Sequence, residues 1–435
     1  MDARIAIRTL LAAAFAAGVA LAASPAVAQT RAGPLAMPAD AAAAARAAME
    51  DTARGNALHV TLLTQGQGEA VWERYGHNLI WIRNDKTGES LLWNWGVFNF
   101  AEPGFIGRFL FGSAMYRIAA FRAPQWLDDE SHGTREVIAQ DLVLTPGQRA
   151  AVDAFVRANA LPQNQYYRYD YFLDNCSTRL RDMLDFVLGG AMRQSIEAKP
   201  GAYSYRDETL RLNQHNTLLF LGLDLALGLP ADRTMTPWES AFVPMRLRDE
   251  LRSVRVPGPG GTMVPLVENE RVLIRGREPA EATRIESGGV RAALFGVALV
   301  VALLALWLGF TGKRGALVAL AVPVHVVFAL AGTLLVFMWL FTRHAFWAWN
   351  MHLLLFTPVS WAVVVSLLRS RARRPAAPWV ARYHRLMAVS GFVVGVCALA
   401  WPGRWSPAEG AMLAAWAGAA WLIHLSIGLA LKQPK

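Results

Sequence analysis

Five long apolar stretches, none carrying a charged residue, fill the last third of this 435-residue chain: 292–312, 315–342, 344–368, 386–403 and 410–431. A helix of about 20 residues crosses roughly 30 Å of hydrocarbon, so each stretch is about as long as a membrane span. A water-soluble core does not take up that much continuous apolar surface, and the whole chain is 54% hydrophobic. The expectation is an all-α membrane domain of five helices over 292–431, joined by a polar linker at 281–291.

The loops between the stretches alternate in charge. Lys313 and Arg314 fill the first, Arg369, Arg371, Arg373, Arg374, Arg382 and Arg385 the third, and Lys432 and Lys435 the tail. The second and fourth hold only Arg343 and Arg404 with Glu409. Basic loops favour the cytoplasmic side, which puts the residues before 290 outside. The start of the chain agrees: Arg4 and Arg8, the apolar run 10–23 and Ala26-Val27-Ala28 have the layout of a signal peptide over 1–28, cleaved or retained as an anchor. An Ala-rich lead-in, 29–57, then precedes a periplasmic catalytic domain, 58–280. The expected location is the bacterial inner membrane, with several membrane passes.

The net charge of +10 belongs to this topology. Residues 291–435 carry 13 Lys and Arg against one acid, whereas 29–290 hold 28 basic and 31 acidic residues. A mildly acidic exported domain offers no footprint for phosphates, so no nucleic-acid partner is expected.

Within the exported part, His59–Thr64 and Asn78–Arg83 read as strands, with a hairpin turn at 84–88 and a returning strand from Ser90 to Trp95. Thr145-Pro146 caps a helix reaching about Asn159. Ser177–Leu188 places Leu180, Met183, Leu184, Val187 and Leu188 on one helical face, and Gly189-Gly190 ends it. Residues 216–229 are strongly apolar and read either as a core helix or as a segment resting on the membrane. Val264–Ile274 suggests a further hairpin.

Two cysteines occur. Cys397 lies inside an apolar stretch and reads as a small packing residue. Cys176 is the only thiol of the exported domain and has no disulfide partner there. Asn175 is a natural N-cap, so Cys176 opens a helix, where the helix dipole favours thiolate. Backbone N–H groups at that terminus, with Asn175 and Ser177, could cap the helix or face a developing oxyanion. Among His59, His77, His132 and His215, His77 follows Gly76 at the start of a strand and is the best base. Asn94, on the adjacent strand, is the polar residue available to orient the imidazole. The expected arrangement sets His77 on an antiparallel sheet and Cys176 at the start of the helix packed on it. No His, Cys, Asp or Glu cluster has metal-ligand spacing, so neither metal nor cofactor is expected.

The runs Tyr75-Gly76-His77-Asn78, Trp93-Asn94-Trp95-Gly96-Val97-Phe98 and, most specifically, 169–179 (Tyr-Asp-Tyr-Phe-Leu-Asp-Asn-Cys-Ser-Thr-Arg) resemble the Lnb family of lipoprotein N-acyltransferases. The resemblance continues through 228–244 and into the membrane helices. It implies a permuted papain-like α+β exported domain, with Cys176 and His77 as the catalytic pair. Tyr171 lies in the 169–179 motif and is a candidate for substrate binding. The family's membrane part carries a His- and Asn-bearing segment at the outer face, matched here by His344, Asn350 and His352. These three are expected to help hold a lipid headgroup or the acceptor amine. The implied reaction moves an acyl chain from a membrane phospholipid through a Cys176 thioester to the N-terminal amine of a lipoprotein. A periplasmic cysteine peptidase or amidase would use the same dyad, and a non-catalytic membrane scaffold is the remaining alternative.

Overall fold

The structure, a computed structural model, describes residues 37–129, 135–257, 262–277, 281–370, 376–400 and 406–432. The expected signal peptide, His132 and the loop residues Arg371, Arg373, Arg374 and Arg404 lie outside the described residues. The chain divides into two compact units: Ala32–Glu208 with Thr234–Thr283, and Thr209–Arg233 with Arg284–Lys435.

The first unit is a mixed α+β domain built on a seven-stranded sheet. Its strands are β1 (Leu58–Gln65), β2 (His77–Asn84), β3 (Ser90–Val97), β4 (Met115–Arg122), β5 (Val137–Leu142) and β6 (Tyr166–Arg168), with β7 (Arg255–Pro257) and β8 (Met263–Pro265) forming a separate ribbon and β9 (Val267–Ile274) returning to the main sheet. The order is β6-β4-β3-β2-β1-β5-β9, antiparallel throughout. The expected 84–88 hairpin joins β2 to β3: Asn84 Oδ1 accepts from the N–H groups of Lys86 and Thr87, and Gly88 takes φ 73°. The sequence pattern did not reveal β4, β5 or β6, and β9 pairs with β5 rather than closing a hairpin of its own.

Two helices matter to the site. Helix α1 (Pro146–Asn159) starts at Thr145, whose hydroxyl accepts from Gln148 N while the Gln148 side chain accepts from Thr145 N, a reciprocal cap. Helix α2 (Cys176–Val187) begins at Cys176 and packs against β2. It buries Leu180, Met183, Leu184 and Val187 with Ile80, Ile82, Trp93 and Trp95 of the sheet in one apolar core.

The second unit is helical. Helix α3 (Thr217–Ala226) belongs to it, so the apolar 216–229 segment clusters with the membrane helices: Phe220 packs with Leu210 and Met412, and Trp416 Nε1 donates to Asp224 Oδ2 at 2.7 Å. Among the described residues, four helices are long and apolar enough to cross a membrane: α4 (Gly288–Phe310), α5 (Arg314–Phe341), α7 (Pro378–Ala400) and α8, which runs over Pro407–Ala430.

The third apolar stretch departs from the expected span. Instead of a helix over 344–368, it forms two short turns, Ala345–Trp347 and Met351–Leu354, before the ten-residue helix α6 (Ser360–Arg369). Trp349 takes φ 55°, a conformation that ends a helix, and Pro358 disfavours helical backbone at the residue before it, Thr357. Asn350 then anchors the segment: its Nδ2 donates to the carbonyls of Leu225, Ala226 and Leu227 at 2.8–3.2 Å, satisfying the end of α3.

Candidate active site

The turn before α2 is organised by its own polar side chains. Asp170 Oδ1 accepts from Phe172 N and Leu173 N, and Asp174 holds Arg179 in a two-pronged pair at 2.6 and 2.8 Å. Asn175 caps the helix with Oδ1 accepting from Ser177 N and Thr178 N, while its Nδ2 donates to the carbonyls of Tyr171 and Phe242. The Ser177 hydroxyl donates to Ala241 O at 2.6 Å and accepts from Asn78 Nδ2. The side chains of Asn175 and Ser177 are thus spent on holding the helix terminus and tying it to β2, and neither is left to donate to an oxyanion.

Cys176 is 9% exposed and forms no disulfide. His77 is the first residue of β2 and hydrogen-bonds Cys176. Burial alone would depress the imidazole and lift the thiol. The attraction and hydrogen bond between them outweigh burial, leaving His77 above its ordinary value and Cys176 below its own. Backbone hydrogen bonds from Asn78 and Ser177 to Cys176 favour the thiolate further. His77 keeps some surface open to solvent yet is enclosed by enough protein to lose most of its hydration.

Asn94 lies beside the imidazole, its Oδ1 2.7 Å from His77 Nε2. An amide oxygen can only accept, so Nε2 carries the hydrogen and Nδ1 is left to serve Cys176. Two glycines make room. A Cβ on Gly96, whose φ is 144°, would stand 3.0 Å from His77 Cε1, and one on Gly76, with φ 78°, would stand 2.8 Å from Gln65 O. The β3–β4 register shifts between Trp95 and Val97, which is where Gly96 sits.

An aromatic run leads away from this pair. Tyr116 stacks on Tyr169 at 4.1 Å, Phe98 on Tyr116 at 4.7 Å, Phe100 edges onto Phe98 at 4.7 Å, and Trp72 leans on Phe100 at 5.2 Å. Tyr116 and Cys176 belong to one buried cluster, with Phe98 and Tyr169 packed against it, so the inner end of the run lies by the thiol. Burial pushes the hydroxyls of Tyr116, Tyr167 and Tyr169 up, and the Cys176 charge adds to it. The outer end is exposed: Trp72 is 61% and Phe100 52% accessible, flanked by exposed Ile106, Phe109, Leu110 and Phe111. The motif reading missed this surface, whose signal is the concentration of phenylalanines over 98–111.

The remaining candidates separate by unit. Tyr171 lies in the turn before Cys176, its ring against Phe172 at 4.5 Å. His59 pairs with Asp85 on the surface at 2.6 Å. His344, Asn350 and His352 lie in the membrane unit, where Asn350 Oδ1 accepts from His352 N at 2.8 Å.

The family model of the Lnb N-terminal periplasmic domain matches residues 45–209, and that of the Lnb transmembrane domain matches 286–424. No curated protein matches the chain, and no solved structure does.

Proposed function

Because the chain belongs to the Lnb family and is a membrane protein with a periplasmic domain, we propose that it is a thiol-dependent acyltransferase at the outer face of the inner membrane. Its acyl donor is a phospholipid and its acceptor the N-terminal amine of a lipoprotein. The observation that carries this reading is the Cys176–His77–Asn94 arrangement, a thiolate at a helix N-terminus paired with an imidazole whose other nitrogen is held at 2.7 Å. A helix-borne Cys facing a strand-borne His, with the His earlier in the chain, also supports the permuted papain-like reading of the domain.

In the first half-reaction the Cys176 thiolate attacks an ester carbonyl of the phospholipid. The C–O bond breaks, the His77 imidazolium gives its Nδ1 proton to the departing alkoxide, and a lysophospholipid leaves behind an acyl thioester. In the second, the lipoprotein amine attacks the thioester carbon and passes a proton to neutral His77. The C–S bond then breaks to return the thiolate–imidazolium pair. The exposed aromatic surface running to Cys176 favours a donor with an acyl chain over a soluble peptide.

The test is full-length protein in phospholipid vesicles labelled in one acyl chain, incubated with a diacylglyceryl-cysteine lipopeptide. The expected products are a lipopeptide heavier by one acyl chain and stoichiometric lysophospholipid. Labelled fatty acid released at the same rate without lipopeptide would identify a hydrolase instead, and no consumption of phospholipid would reject lipid chemistry.

A further inference from the structure

Three histidines meet inside the membrane unit: His325 of α5, His384 of α7 and His424 of α8. They are 0, 1 and 0% exposed, and one ring nitrogen from each lies within 4.8 Å of the others. Among the described residues this is the one group of three His, Cys, Asp or Glu side chains disposed to hold an ion. We propose that these histidines form a transition-metal site that ties the three helices together, with zinc the ion the donor set fits best.

The polar bookkeeping of the cluster supports a ligand. Both nitrogens of His325, which offers the third ligand atom, are buried without a hydrogen-bond partner. Ionisable groups within membrane helices are rare and turn toward the protein interior when they serve a purpose. His384 Nδ1 and His424 Nδ1 face each other at 3.2 Å. Two nitrogens each about 2.0–2.1 Å from one tetrahedral zinc stand roughly 3.3 Å apart, so this pair already has the spacing of two ligands. His325 completes a third position after a small inward shift. Its ring centroid is 5.0 Å from that of His384 and 5.7 Å from that of His424.

The surroundings fit a neutral three-nitrogen site. Phe328 and Tyr383 pack against the imidazoles, and the Tyr383 hydroxyl is engaged with Ser360 Oγ at 2.7 Å. Three imidazoles give lone pairs without loss of a proton and leave a fourth position for water, a donor set that suits zinc. Association of membrane helices gains little from apolar contact alone, so a metal joining α5, α7 and α8 would fix a bundle whose interior is otherwise packed apolar side chains. The site stands independently of the acyl-transfer reading.

The test uses full-length Cys176→Ala protein in detergent, so that the exported thiol cannot collect metal. After saturation with zinc and desalting, elemental analysis should give about one zinc per chain, and its X-ray absorption should show an imidazole shell at about 2.0–2.1 Å. His424→Cys should keep the stoichiometry and add one sulfur at about 2.3 Å. Combined His325→Ala and His384→Ala should lose the zinc. Well under one zinc in monodisperse protein, or a shell without imidazole, would overturn the site. So would zinc bound in folded His424→Cys protein with no sulfur contact. Should the variants not fold, the stoichiometry and imidazole shell of the parent decide.

Discussion

His77 Nε2 sits 2.7 Å from Asn94 Oδ1, and that contact fixes which ring nitrogen is offered to Cys176. In the proposed reaction Nδ1 moves the proton, because Nε2 is committed to the amide. Replacing Asn94 by Ala should leave the fold intact, since Asn94 is partly exposed, but free the ring to turn. Turnover should fall about 100-fold, within the range attributed to a positioned acid–base group. Asn94→Asp should retain more activity and shift the alkaline limb upward. Unchanged turnover in Asn94→Ala would remove it from the site.

The nucleophile assignment predicts that Cys176→Ala and Cys176→Ser both lose turnover by on the order of 10³-fold or more. Serine fails because the environment that ionises a thiol leaves a hydroxyl protonated. Both variants should melt within a few degrees of the parent, and Cys397→Ala should remain active. Thioester trapping by mass spectrometry should find acyl groups on Cys176 alone.

The pH profile follows from the paired shifts. Cys176 is held below its ordinary value, so activity should rise on the acid side below the usual thiol range; His77 is held above its own, so activity should decline only above the usual imidazole range. In Cys176→Ala the stabilising thiolate is gone while burial remains, so the His77 resonance should titrate lower than in the parent. An imidazole titrating at the same pH in both proteins would contradict the ion pair.

Gly96 predicts a steric lesion. Gly96→Ala places a methyl carbon 3.0 Å from His77 Cε1 on backbone at φ 144°, a strain of roughly 1–3 kcal/mol. Activity should drop at least tenfold even where folding survives. Gly88→Ala is the control. It has φ 73° but nothing within 4 Å of the added carbon, so it should cost about 1–2 kcal/mol of stability and little activity.

The aromatic surface should act on donor binding rather than on chemistry. Trp72→Asp with Phe100→Asp should raise the apparent KM for vesicle phospholipid several-fold and leave thiol alkylation of Cys176 unaffected. An unchanged KM would detach this surface from the substrate.

Asn350→Ala removes the donor that satisfies three carbonyls at the end of α3, an expected loss of about 1–3 kcal/mol read as a lower Tm in detergent. A variant as stable as the parent yet inactive would make Asn350 a substrate contact instead.

What the sequence determined about this protein is local. The 84–88 hairpin, the Thr145 and Asn175 caps and the amphipathic face of α2 are set by residues within four positions of one another, and their patterns were readable in the chain. Four membrane helices were likewise readable from uninterrupted apolar length. The third stretch misled because length and hydropathy say nothing of where a backbone will bend. Trp349, Pro358 and the reach of Asn350 to a segment more than a hundred residues earlier decided it. Tertiary structure alone supplied the path of rings from Trp72 to Tyr169 and the convergence of His325, His384 and His424. The ligand spacing of that triad exists only across three packed helices, and no run of residues in the chain contains it. Hydrogen-bond caps and helical periodicity are written in short separations, whereas a site is a set of distances between side chains that only packing brings together.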